Sequence, residues 1–130
     1  MNTNLKVTSS KKAFEVILSS WNNNTIELLE EFKVLLLNNS NIPLGLYTLS
    51  KGGMTATLVD IRVLFSVALK SCATAMITVH NHPSGKLHPS NPDIEIYKKI
   101  KEVAKFHDIN YLDNLIITPQ GYYSFMDEGI

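Results

Sequence analysis

The stretch ATAMITVHNHP, residues 73–83, carries an apolar run straight into two histidines and a proline. Residues 73–79 read as a buried strand that ends at the histidines, and Pro83, which has no N–H to donate, stops it. Side chains alternate along extended backbone, so His80 and His82 project to the same side. Any fold this chain adopts must therefore end one strand with two imidazoles side by side. Ser84-Gly85 turns the chain, and polar groups return at Ser90 and Asp93.

The remaining segments supply partners for that strand. KKAFEVILSS, 11–20, places Ala13, Phe14, Ile17 and Leu18 at helical spacing, with Ser10 as N-cap. EEFKVLLL at 30–37 and LGLYTLS at 44–50 read as strands, divided by the turn-forming NNSN, and Lys51-Gly52-Gly53 ends the second. MTATLV, 54–59, is expected to be strand or extended chain. Asp60 caps a helix through IRVLFSVALKS, with Ile61, Leu64, Phe65, Ala68 and Leu69 on its inner face. Another amphipathic helix opens at Ser90 and runs to His107, with Ile96, Tyr97, Ile100, Val103 and Ala104 as its apolar stripe. INYLDNLIIT and YYSFMD close the chain as two strands that turn at Pro119-Gln120-Gly121. Strands in runs with helices between them predict an α/β or α+β sandwich, a mixed sheet flanked by helices.

Totals narrow the function classes. A chain of 130 residues suits one domain with a real core. Twelve basic and twelve acidic residues cancel, which argues against nucleic-acid binding by bulk charge and against a metal-dependent nuclease with a basic surface. Cys72 is the one cysteine, so no internal disulfide forms and a reducing compartment is expected. No apolar run approaches the roughly 18 residues of a membrane span, and MNTNLKVTSSKK lacks a secretory apolar core. A cytoplasmic protein is the expectation. Cys72 and Trp21 read as core residues, His88 as solvated, and His107 as a residue near a helix C-terminus, where a cation is favoured.

Two imidazoles from a strand end and a carboxylate in the next helix's first turn, His80, His82 and Asp93, can share one ion. Such a set leaves a tetrahedral zinc with one position for water, the pattern of a catalytic rather than a closed structural site. Ser90-Asn91-Pro92-Asp93 is equally a helix start, with serine as cap, proline in the first turn and an acid facing the helix dipole. The two readings are compatible, and the helix start alone does not account for the histidines.

The run His80-Asn81-His82-Pro83-Ser84-Gly85, then Pro89-Ser90 and Asp93, resembles the JAMM metal signature of the JAB/MPN metalloprotease fold, and its RadC-like branch in particular. Residues 52–79 resemble that family's approach to the motif, and INYLDNLIIT and GYYSFMDEG its closing strands, so about residues 10–129 match. The resemblance implies a cytidine-deaminase-like three-layer sandwich and a zinc held by His80, His82 and Asp93. Ser90 would hydrogen-bond the developing oxyanion or the bound water, and an early-strand glutamate, matched by Glu30, would be the general base. Parity along EEFKVLLL selects the same acid. Glu30 shares a face with Phe32, Val34 and Leu36, whereas Glu31 shares one with Lys33, expected to be wet. Burial would then raise the Glu30 pKa to a useful value; without the resemblance, both acids also read as solvated.

The implied reaction is hydrolysis of an amide or isopeptide bond in a peptide or protein. The other class open to the chain is a non-catalytic or DNA-repair-associated interaction module. The chain departs from the RadC-like pattern at Asn114, where histidine is usual, and near Tyr97, where threonine is common. The helix-hairpin-helix region that commonly precedes the domain is not in these 130 residues. The literal string HNH is not the dispersed HNH nuclease motif. Arg62 is read as a support for Glu30 or for the sheet end.

Overall fold

The computed structural model describes residues 6–52 and 59–130. Its elements are α1 (Ser10–Ser19), β1 (Glu31–Leu37), β2 (Pro43–Lys51), α2 (Ile61–Lys70), β3 (Ala75–Asn81), α3 (Asn91–Phe106), β4 (Asn110–Thr118) and β5 (Gly121–Ser124). The strands form one sheet in the order β2-β1-β3-β4-β5. β3 and β4 run parallel and the other neighbours antiparallel, so the sheet is mixed. A parallel pair needs a crossover, and α3 supplies it. β3 lies at the centre with helices on both faces, which is why its run is continuously apolar rather than alternating.

Period-two alternation sorts the core into two layers. Leu35, Leu37, Ala75, Ile77, Val79, Leu115 and Ile117 pack against Ala13, Val16 and Ile17 of α1, with Trp21 and Ile26. The intervening residues Phe32, Val34, Leu36 and Met76 pack against Leu64, Phe65 and Ala68 of α2 and Ile100 and Ala104 of α3. The result is a three-layer α/β sandwich, as the element pattern predicts. Each large aliphatic side chain buried this way contributes about 1.5–3 kcal/mol. Among the described residues, no helix is long and apolar enough to cross a membrane.

Several expectations are corrected. Ser9, not Ser10, caps α1, its Oγ accepting the Lys12 N–H at 3.1 Å; Ser10 instead reaches Tyr122 and Asp127. On α2, Leu64, Phe65 and Ala68 are buried, but Leu69 is exposed, because it lies about 90° round the helix from their mean direction. The Glu31–Lys33 face is not wet: both residues are buried. Trp21 covers that face, and the Lys33 ammonium sits 4.1 Å from its ring centroid. Burial lowers the Lys33 pKa, with the neighbouring Glu31 charge opposing the shift. Cys72 is exposed rather than core, at the C-terminal end of α2. Of MTATLV, residues 54–58 lie outside the described residues.

Candidate metal centre at the end of the central strand

Parity places His80 on the α3 side of the sheet with Phe32 and Met76, and Asn81 on the α1 side. The His80 ring stacks on Phe32, with centroids 5.8 Å apart and planes 9° from parallel. After β3, the His82 N–H donates to the Ile117 carbonyl at 3.2 Å. The Gly85 N–H closes a turn onto the His82 carbonyl at 2.9 Å, with Pro83 at its second position and Gly85 at φ +84°. That turn brings the Lys86 carbonyl 2.8 Å from His82 Nδ1, which must donate to it. In neutral His82 the Nε2 lone pair is therefore bare and faces the site.

The third group comes from the start of α3. Ser90 caps that helix: its Oγ accepts the Asp93 N–H at 3.2 Å, and Asp93 Oδ2 accepts the Ser90 N–H at 2.8 Å. The same Asp93 carboxylate reaches the histidines, Oδ1 lying 3.2 Å from His80 Nε2 and Oδ2 3.3 Å from His82 Nε2. The two Nε2 atoms are 3.1 Å apart. Ligand atoms about 2.0–2.1 Å from a tetrahedral zinc are roughly 3.3–3.4 Å from one another; the two nitrogens are close to that spacing, and each meets a different Asp93 oxygen. Electron-rich atoms crowded this closely need a proton or a cation among them. His80 Nδ1 is buried without a hydrogen-bond partner among the described residues, whereas the Lys86 carbonyl sets the tautomer of neutral His82.

The electrostatics agree with the crowding. Burial pushes the Asp93 carboxyl up, but hydrogen bonds from the two imidazoles, the His80 charge and the Ser90 N–H outweigh it and hold the group well below the usual carboxylate range. Burial pushes His82 down, yet Asp93, the Lys86 carbonyl and the Glu30 charge together raise it above the ordinary imidazole value.

Glu30 stands just before β1 and completes the cluster. Glu30, His80 and His82 each offer a ligand atom, all within 4.8 Å of one another, close enough to hold a metal ion. Two carboxylates, Glu30 and Asp93, thus face one pair of imidazoles. A cavity of about 180 Å³ opens beside them, lined by Glu30, Phe32, Val59, His80, Asp93 and Ile96 among others.

Ser90 lies in the cap beside Asp93, with its hydroxyl proton available to donate. Asn114 is buried opposite Thr78, two residues before His80 on β3, and its Oδ1 accepts from Thr78 Oγ1 at 2.8 Å. Arg62 folds onto Asp60 at the exposed start of α2, at 3.1 Å. His88 is exposed, and His107 ends α3 with its ring 5.3 Å from that of Phe65. Sequence reasoning missed Phe32 as the stacking partner of His80, Lys86 as the acceptor for His82, and Asn81. Asn81 is fully buried and bonded to the segment that carries Glu30. Its signal was available: a polar residue of opposite parity between two site residues must point into the other layer.

A family model described as RadC-like JAB domain matches residues 7–130. A UPF0758 protein of Flavobacterium johnsoniae is 50% identical over 126 residues, covering 96% of this chain and 53% of the relative. A UPF0758 protein of Staphylococcus haemolyticus is 36% identical over 98% of this chain and 55% of its own length. One of Clostridium beijerinckii is 33% identical over 100% of this chain and 56% of its own. The chain spans about half the length of the curated relatives it matches.

Proposed function

This chain belongs to the RadC-like JAB domain family, and from that premise we propose that it is a zinc-dependent hydrolase of amide or isopeptide bonds in a peptide or protein. The observation that carries the reading is the approach of His80 Nε2, His82 Nε2 and the Asp93 carboxylate within 3.1–3.3 Å, with Glu30 beside them. Of the two carboxylates, Asp93 is the third ligand: it touches both imidazoles, and the Ser90 cap already fixes its direction. Glu30, at the cavity wall, is left as the base.

Held by His80, His82 and Asp93, a zinc ion would supply a water whose pKa is lowered to about 7 and a Lewis acid for a carbonyl oxygen. Glu30 takes one proton from the attacking water as its oxygen bonds to the carbonyl carbon. The Ser90 hydroxyl donates to the developing oxyanion. Glu30 then gives the proton to the amine nitrogen as the carbon–nitrogen bond breaks, leaving a carboxylic acid and a free amine. Phe32, Val59 and Ile96 give the cavity an apolar wall that favours a low-dielectric site.

Metal analysis of purified variants tests the reading. His82→Ala and Asp93→Ala are expected to lose stoichiometric zinc. Glu30→Gln is expected to keep zinc and to lose hydrolysis of an isopeptide or peptide library by at least about 100-fold, the scale of a lost acid–base group. Stoichiometric zinc in His82→Ala sinks the ligand set. A second arm, retention on a DNA column as salt rises, is expected to show no specific binding; strong salt-dependent retention with no hydrolysis favours a DNA-associated module instead.

A further inference from the structure

We infer that Asn81, the residue between the two histidines, is a positioning residue for Glu30: its carboxamide grips the main chain on both sides of Glu30 and so aims that carboxylate at the imidazoles. The inference rests on the reading of Glu30 as the proton carrier. Asn81 has no solvent exposure. Its Nδ2 donates to the carbonyls of Ile26 and Leu29, and its Oδ1 accepts the Glu31 N–H, each at 2.7 Å. Both amide hydrogens are thereby used, and the acceptor is engaged as well. The Leu29 carbonyl and the Glu31 N–H belong to the residues flanking Glu30, so one side chain pins both.

The sheet does not do this by itself. The β1–β3 register begins at Phe32 opposite His80, which leaves Glu30 outside the ladder. From the β2 side, the Gly52 N–H donates to the Glu30 carbonyl at 2.9 Å. On the β3 side, a side chain takes over where the backbone pairing stops. Parity makes the device work. Asn81 points into the α1 layer while His80 and His82 point the other way, and all three share one short rigid stretch of backbone. The Asn81 amide therefore ties the Glu30 backbone to the strand that carries the imidazoles, across 50 or more residues of sequence. An aspartate of the same shape cannot donate to the two carbonyls, and a serine is too short to span them.

Asn81→Ser and Asn81→Asp in the full chain test this. Exchange of the Glu31 amide hydrogen, followed by NMR, is expected to accelerate at least about tenfold when its acceptor is lost or loosened, while the Leu35 amide in the same strand keeps its rate. The second readout uses cobalt(II) in the metal site. Asn81→Ser is expected to bind one cobalt and to shift the visible spectrum as Glu30→Gln does, and the double variant is expected to shift it no further. An unchanged Glu31 exchange rate overturns the inference. So does an unaltered spectrum in Asn81→Ser when Glu30→Gln moves it, or a spectrum that Glu30→Gln leaves unmoved. Failure of the unaltered protein to bind cobalt sinks the metal reading instead, and Glu31 exchange then still decides whether Asn81 holds this backbone. If neither variant folds, the unaltered protein decides: both Asn81 Nδ2 hydrogens must exchange more slowly than the other side-chain amides, and fast exchange refutes the grip.

Discussion

His82 faces the site with a bare Nε2 because a glycine three residues on lets the loop turn back. Gly85 has φ +84°, and a Cβ there would meet no atom within 4 Å, so a side chain is opposed by the backbone alone. That penalty is about 1–2 kcal/mol. In Gly85→Ala the loop relaxes, the Lys86 carbonyl moves off His82 Nδ1, and metal affinity is expected to fall by up to about tenfold, measured by competition with a chelating dye. Gly129 is the matched control: it too has positive φ and open space, but it sits near the C-terminus. Gly129→Ala should destabilise by a similar amount and leave metal affinity where it was. Equal loss of affinity in both variants would show that the Gly85 turn has no special hold on His82.

At the scale of elements, α2 and α3 end in the same way. After α2, Cys72 takes φ 55°, its N–H donates to Leu69 and the Ala73 N–H reaches back to Ala68. After α3, Asp108 takes φ 54°, with its N–H on Lys105 and the Ile109 N–H on Ala104. Both are Schellman ends with a side chain where glycine is preferred. Cys72→Gly is expected to stabilise by about 1 kcal/mol, read as a rise of a few degrees in Tm, because the left-handed conformation then carries no Cβ penalty. No gain would mean that the exposed thiol makes compensating contacts. These ends also show where the sequence was opaque. Helix starts were legible to within a residue, because Ser90 and Asp60 advertise capping chemistry. The ends were read as closely, at Ser20, Ser71 and His107, but their left-handed residues were not, because a cysteine or an aspartate in the glycine position gives no cue. Strand parity was legible too: it grouped Glu30 with Phe32 and set His80 beside His82. Parity says which residues share a face, though, not what covers that face. Lys33, for one, lies against the Trp21 ring, brought over from a segment twelve residues away. Parity likewise gives the layer Asn81 enters but not what it meets there: its partners, the carbonyls of Ile26 and Leu29, are main-chain groups that no motif records.

For the whole molecule, the site couples folding to pH in opposite directions with and without metal. Asp93 is held below its unfolded value, so its contribution is present above about pH 4 and is lost as pH falls from there towards its folded pKa. His82 is raised, so its contribution is complete below about pH 6.5 and is lost as pH rises through its folded pKa. Together they place the metal-free protein's gain from this pair between about pH 4 and 6.5. Metal reverses the upper limb. An ion takes the Nε2 lone pair that the proton otherwise holds, so its binding releases that proton and strengthens as pH rises. A ligand at about 1,000 times its Kd adds about 4 kcal/mol to the folded state. The expected result is a gap in Tm between zinc-loaded and chelator-treated protein that is small near pH 5.5 and widens steadily to pH 8. Asp93→Asn should remove most of that gap, and also the metal-free protein's loss of stability as pH rises through neutrality, since both depend on the same carboxylate. A gap independent of pH would mean that the metal binds through groups that do not titrate in this range. That would remove His82 from the ligand set while leaving the fold's account of β3, α3 and their junction intact.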